Sequence, residues 1–291
     1  MKSLVLIIFM MSSFAYADDH LPTSFKHTEV SPGIFYLEGI GGKMSIGAVS
    51  LLVGKEYIVL IDGSLTSLGP ALIKKIKELA KRPVDFVINT HVHGDHTGTN
   101  KLQAEKGAII VGHDNLRERM KSNLQKDHYP EALPIITFSE NITFHINDHE
   151  AYVFHLAAAH TDGDAAILFR EANVIATGDM LFRGIFPFID LDSGGSVEGY
   201  KKGMKKIIDM ADDKTIIMPG HGPIASLKDL KKDFAMLLDS ESRVKALLNE
   251  GLHEEAIIKA DPLAKYHDEY NWSFITTEIM TRTLIQSLIK N

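Results

Sequence analysis

The sequence predicts an α/β or α+β domain built on extensive β-sheet and finished by a C-terminal helical extension. Short apolar runs of strand length recur between residues 33 and 218, stretches with helical spacing fall among them, and the region from Ser226 to Asn291 is mostly helical in pattern. Gly33 to Glu38, Ala48 to Val53 and Tyr57 to Ile61 read as strands, and the short turn Gly54-Lys55-Glu56 makes the start antiparallel. Pro70 to Lys81 places Leu72, Ile73, Ile76, Leu79 and Ala80 at helical spacing with lysines between them. Val84 to Asn89 is a short apolar run leading directly into THVHGDHTG, residues 90–98. Strands follow at Gly107 to Val111, Ile135 to Phe138, Ile142 to Ile146, Ala151 to Leu156, Ala165 to Phe169, Val174 to Thr177 and Thr215 to Met218. Helices are expected at Asn115 to Leu124 and Val197 to Met210, the second capped by Ser196 with Glu198 in its first turn.

The chain has 291 residues, 45% hydrophobic and 24% charged, with no repeat and no proline-rich linker, which favours one large domain. Residues 1–17 combine Lys2, the apolar run Leu4 to Met11, and Ala15 and Ala17 flanking Tyr16, the layout of a cleaved secretory signal peptide. The apolar run is short for a membrane anchor, so export to a bacterial periplasm or the medium is expected, with no stable membrane attachment after cleavage. Loss of Lys2 moves the formal charge from -7 to -8. That balance disfavours nucleic acid, which needs clustered Lys and Arg, and points to a small-molecule substrate. There is no cysteine, so any metal must be held by His, Asp and Glu. The expected division is a signal peptide at 1–17, a main domain at 18–240 and a helical extension at 241–291.

Side chains two apart in an extended segment point the same way, so His91 and His93 can present imidazoles to one ion, while Asp95 and His96, beyond Gly94, can face a second. Three further residues each follow an apolar strand and sit beside glycine: His160 in AAAHTDGD, Asp179 in ATGDMLF and His221 in PGHGP. Recurrence of this arrangement argues for a convergent site rather than a histidine-rich surface loop.

With these motifs in this order, the chain from about Ile34 to Leu227 resembles the metallo-β-lactamase superfamily. The resemblance implies a four-layer αββα sandwich with its site at one edge between two sheets. It implies His91, His93 and His160 as ligands of one zinc, Asp95, His96 and His221 as ligands of a second, and Asp179 as the bridge. Iron or manganese also suits these donors. Two such ions lower the pKa of a shared water from about 15.7 toward 7, and Asp95 is the residue expected to orient it and relay its proton. A bridging aspartate without cysteine looks more like the glyoxalase II and lactonase branches than the best-known β-lactamases, whereas the export signal and FRGIFPFIDLDSGGS look like secreted β-lactamase-fold hydrolases.

Asp62, ending IVLID, and Thr90 are expected behind the ligand histidines, fixing their tautomers. A pocket is expected from Met44 in the glycine-rich loop Gly39 to Gly47 and from Phe182, Phe186 and Phe188, although phenylalanines commonly bury in a core. The run DSGGS, 192–196, reads either as a helix cap or as backbone N–H groups for a substrate carboxylate. The tail, with Tyr266 and Trp272, packs on the sandwich or makes an oligomer contact, and both readings stay open. The leading functional reading is an exported dinuclear zinc hydrolase of a cyclic amide or ester, most like a β-lactam. The alternatives are a lactonase or thioesterase, an iron-dependent oxygenase, and a non-catalytic periplasmic metal-binding protein.

Overall fold

Side chains along a strand alternate between two faces, and most central strands of this protein are apolar on both, so each sheet must be covered on both sides. The computed structural model describes residues 21–42, 46–123 and 130–290. The expected signal peptide, Met44 and Leu124 lie outside the described residues. One sheet runs β1(Ser24–Ser31), β2(Ile34–Ile40), β3(Val49–Val53), β4(Ile58–Ile61), β5(Phe86–Ile88), β6(Ile109–His113) and β7(Ile136–Phe138). The other runs β8(Asn141–Ile146), β9(His149–Leu156), β10(Asp164–Phe169), β11(Val174–Phe182), β12(Ile216–His221) and β13(Ala225–Ser226). The first is antiparallel up to β4 and parallel from β4 to β7. In the second, only β11 and β12 are parallel.

Alternation then assigns the layers. Val59 and Ile61 of β4 meet Val153 and Ile167 of the second sheet in a core between the sheets. Ile58 and Leu60, on the other face of β4, pack under Leu72 and Ile76 of α1(Gly69–Ala80). Short helices α2(Gly94–Thr97), α3(Asn100–Ala104) and α4(Asp114–Asn123) complete this half of the chain. On the far side, Phe154, Leu168 and Ile175 are covered by α5(Val197–Met210) and α6(Leu227–Asn249), then by α7(Glu254–Ala260), α8(His267–Tyr270) and α9(Thr277–Lys290), through Met204, Leu237, Ile257 and Leu284. The result is the αββα order of layers. The tail therefore packs on the sandwich, and α6 runs unbroken through residue 240, where the extension was expected to begin. No helix among the described residues is long and apolar enough to cross a membrane.

Several strands differ from expectation; β12 runs on past Met218 to His221, and β13 falls where no strand was expected. β1 is an edge strand in which only Phe25 is buried, so its sequence, SFKHTEVS, carries no apolar alternation to betray it. β11 continues past Thr177 to Phe182, with its pairing to β12 shifting register at Gly178. Asp179 therefore sits within an irregular strand, not beyond its end. Gly178 has φ 51°, and a Cβ there would lie 2.4 Å from Thr90 Oγ1, so both backbone conformation and space require glycine.

Candidate metal centre

The site gathers where parallel strands end. β4 delivers Asp62 and β5 leads into Thr90 and His91, while β11 and β12 supply Asp179 and His221 from the facing sheet. Ligand sites in α/β sheets commonly form at such carboxyl ends. All seven predicted ligands converge. His91, His93, His160 and Asp179 offer donor atoms within 4.8 Å of one another, and Asp95, His96 and His221 form a second such group. The Asp179 carboxylate touches both: Oδ1 is 3.1 Å from His96 Nε2, while Oδ2 is 3.5, 3.4 and 3.4 Å from Nε2 of His91, His160 and His221.

Hydrogen bonds on the outer side of the rings decide which nitrogen faces inward. Thr90 Oγ1 donates to Asp62 Oδ2 (2.7 Å), so its oxygen accepts from His91 Nδ1–H (3.0 Å) and leaves His91 Nε2 as a bare lone pair. His96 Nδ1–H donates to Asp62 Oδ2 (2.8 Å), and His160 Nδ1–H donates to the Phe188 carbonyl (2.6 Å). His93 Nε2–H donates to Asp190 Oδ2 (2.9 Å), turning Nδ1 toward His160 Nε2 at 2.9 Å. With these tautomers, assigned from the bonding network, two lone pairs face each other across that gap. Such a contact is repulsive unless a cation or proton lies between them. His91 Nε2, His96 Nε2 and Asp179 Oδ1 are also buried without a hydrogen-bond partner. The donor set fits one or two divalent ions.

Electrostatics agree with that fit. Burial pushes His160 down to about 4, and burial with the neighbouring His96 holds His91 well below the ordinary histidine range, so both favour the neutral, ligating form. Burial opposes charge on His221 too, but Asp179 and Asp95 outweigh it and raise the group to about 9. Asp179, Asp62 and Asp95 likewise overcome burial at His96 and raise it. Asp95 and Asp179 stay well below the usual carboxylate range despite burial, held there by His96 and His221. The pocket draws positive charge to itself.

The residues expected behind the ligands are in place: Asp62 also accepts the Thr90 backbone N–H (2.8 Å) and is fully engaged. Asp190 escaped the sequence reading because it lies 97 positions from His93. The run DSGGS folds around it. Asp192 and Ser193 N–H donate to Asp190 Oδ1, Gly195 N–H donates to its carbonyl, Ser196 N–H donates to Ala159 O, and Ser196 Oγ caps α5 through Gly199 N–H (2.9 Å). The amides of Asp192, Ser193, Gly195 and Ser196 are committed internally, which favours the helix-cap reading over a substrate-carboxylate site.

The aromatic pocket needs a correction. Phe186 is fully buried against Tyr266 and Tyr270 in the helical core and does not line the site. Phe182 is buried and stacks flat on His221, 4.7 Å between centroids, supporting a ligand from behind. Phe188 is partly exposed and lies against His93 and His160.

Residues 44–221, more than half of the chain, match the family model described as the Metallo-beta-lactamase superfamily. A hydroxyacylglutathione hydrolase from Pelagibacter ubique is 32% identical over 142 residues, 47% of this chain and about half (51%) of the relative's length. A metallo-beta-lactamase type 2 from Bacillus cereus is 22% identical over 168 residues, 57% of this chain and 63% of that one. Among solved structures, a metallo-beta-lactamase from Pontibacter korlensis superposes with a TM-score of 0.63 at 17% identity, covering 74% of this chain and all (100%) of that one, a likeness of fold.

Proposed function

The chain belongs to the metallo-beta-lactamase superfamily, and from that premise we propose that it is an exported, zinc-dependent hydrolase that opens a cyclic amide or ester of the β-lactam kind. The observation that carries a two-metal reading is the Asp179 carboxylate, placed between two ligand groups and within 3.5 Å of four histidine nitrogens. His91, His93 and His160 would hold one ion, Asp95, His96 and His221 the other, and Asp179 both. When bound, two divalent ions supply the charge that polarises a carbonyl and makes water acidic enough to react near neutral pH, with a pKa of about 7.

The chain's own residues do the rest. Asp62 and Thr90 fix the His91 and His96 rings, and Asp190 and the Phe188 carbonyl fix His93 and His160, so these four rings are already oriented before substrate arrives. Asp95 keeps 24% of its side chain exposed, and its Oδ2 is anchored by the Gly47 N–H at 2.9 Å. An ionised carboxylate held at the open side of the cluster can take a proton from the nucleophile and pass it to the leaving group.

A lactonase or thioesterase is the second reading, favoured by the shared aspartate and by similarity to the Pelagibacter hydroxyacylglutathione hydrolase. Metal analysis of the mature protein with a panel of β-lactams, lactones and thioesters separates the two. Two zincs with β-lactam opening support the first, and turnover confined to thioesters or lactones supports the second. Bound metal with no turnover in any class leaves a metal-binding protein. Export is tested by N-terminal sequencing, which should begin at Asp18.

A further inference from the structure

Outside the ligand groups, a band of aromatic rings leads from the metal-facing histidines to the surface, and its outer part comes from the C-terminal tail. The Phe188 ring lies 5.5 Å from that of His93, inclined by 28°, and 5.7 Å from that of His160. Phe274 meets Phe188 edge-on at 5.1 Å and Trp272 at 5.6 Å, and Trp272 lies 6.0 Å from both His221 and Phe182. The loop carrying Trp272 and Phe274 is pinned. The indole N–H donates to the Phe186 carbonyl (3.0 Å), Phe186 N–H donates to Tyr270 O (2.8 Å), and Asn271 Oδ1 accepts the first amide of α9, Thr277 N–H (2.7 Å).

Phe274 is nevertheless 50% exposed. A half-open phenylalanine on a braced loop, joined ring to ring with the metal-facing histidines, is apolar surface that the fold keeps uncovered at the mouth of its own site. Among the described residues, every non-histidine ring in contact with the metal-facing histidines belongs to Phe182, Phe188 or Trp272, and none has a cation stacked on it. That surface suits a planar apolar group.

We propose that Phe188, Trp272 and Phe274 form a subsite for an aryl or arylmethyl substituent of the substrate's acyl part, so that the tail sets specificity. The inference rests on the hydrolase reading. Its test uses a β-lactam and a thioester, each carrying either a phenylacetyl or an acetyl group, with wild type, Phe274→Ala and Phe274→Leu. The wild type is expected to prefer phenylacetyl in kcat/KM. In Phe274→Ala the preference should fall about tenfold, equivalent to about 1.4 kcal/mol, with the loss in KM; Phe274→Leu should keep part of it.

A second readout needs no turnover. Trp272 is the chain's single tryptophan, so its emission should change saturably with phenylacetamide and not with acetamide, and the phenylacetamide titration should weaken in Phe274→Ala. Hydrolysis without acyl preference, or a preference unchanged in Phe274→Ala, overturns the subsite while leaving the hydrolase reading intact. A phenylacetamide response lost in Phe274→Ala, in a protein that turns over neither substrate, keeps the subsite and removes the hydrolase reading. No response and no turnover overturns both.

Discussion

Replacing Asp190 with asparagine should disable the three-histidine group without touching a ligand. Asp190 Oδ2 accepts His93 Nε2–H at 2.9 Å, in a setting where the two side chains are only 16% and 23% exposed. Its Oδ1 accepts the Asp192 and Ser193 amides. Asparagine's carbonyl oxygen can keep those two bonds and so preserve the loop. Its amide then presents N–H where the carboxylate presented a lone pair, and His93 must accept on Nε2 and carry its proton on Nδ1. That proton points at His160 Nε2, 2.9 Å away, and the resulting hydrogen bond consumes the nitrogens that face the metal. A hydrogen bond to a charged group is worth about 1.5–3 kcal/mol, and losing partners of this kind lowers metal affinity by about 10–100-fold. The assay is zinc titration in competition with a chelating indicator, fitted for two sites. The site held by His91, His93 and His160 should weaken by that factor, and the site held by Asp95, His96 and His221 should move much less. An isotherm superimposable on that of the wild type refutes the tautomer argument.

Asp95→Ala should lower kcat by about 10²–10⁴-fold, the usual worth of a positioned acid–base group, while metal analysis still finds the three-histidine site filled; full activity in the variant would remove the proton-relay role. Gly178→Ala forces a left-handed conformation costing about 1–2 kcal/mol and drives a methyl group toward Thr90, so the urea midpoint should fall, and an unchanged midpoint contradicts the close approach. Asp229 forms a capping box with Ser226 at the start of α6. Burial would raise its pKa, but hydrogen bonds from Ser226 and Arg183 outweigh it and lower the group to about 2. A depressed carboxylate contributes stability above its unfolded value, and that contribution is lost as pH falls. The stability gap between wild type and Asp229→Asn, about 1 kcal/mol for a capping box at neutral pH, should therefore narrow as pH falls below 3.8 and close as it passes through about 2; a gap undiminished at pH 2 contradicts the assignment.

The sequence exposed those parts of the fold in which one local rule operates. Strands buried on both faces are easily read, because Ile58–Ile61 is apolar throughout and β10 is apolar from Ala165 to Phe169 after its first residue, Asp164. The histidine motif was legible because four candidate ligands fall within residues 91–96, and His160, Asp179 and His221 each follow an apolar run. Asp62 could be found from its place at the end of β4. β1 was hidden because it gains its order from pairing with β2, with only Phe25 buried. Asp190 was hidden because its partner is distant in sequence and its own neighbourhood, DLDSGG, reads as an ordinary turn. Phe186 was misplaced because phenylalanines two and four apart are assigned to a pocket or a core by tertiary packing alone, and Tyr270 decides it here.

The segment Ile185–Asp190 ties these threads together. Asp190 sets the His93 tautomer, and the Phe188 carbonyl sets that of His160. Asp190 N–H donates to the His160 carbonyl, which fixes the spacing between the segment and the ligand loop. Phe186 binds the tail through both its N–H and its C=O. One short stretch thus holds two metal-facing histidines on one side and the C-terminal loop on the other. The family match ends at residue 221, so the tail lies outside the motif-bearing region yet is joined to it through backbone groups of Phe186 and Val197. A change in the tail therefore reaches the site by two physical routes: directly, through the exposed Phe274 face, and indirectly, through Phe186 to Phe188 and Asp190. The routes separate in kinetics. Loss of the Phe274 face should alter KM for aryl substrates, whereas loosening the Trp272–Phe186 bond should also disturb metal affinity.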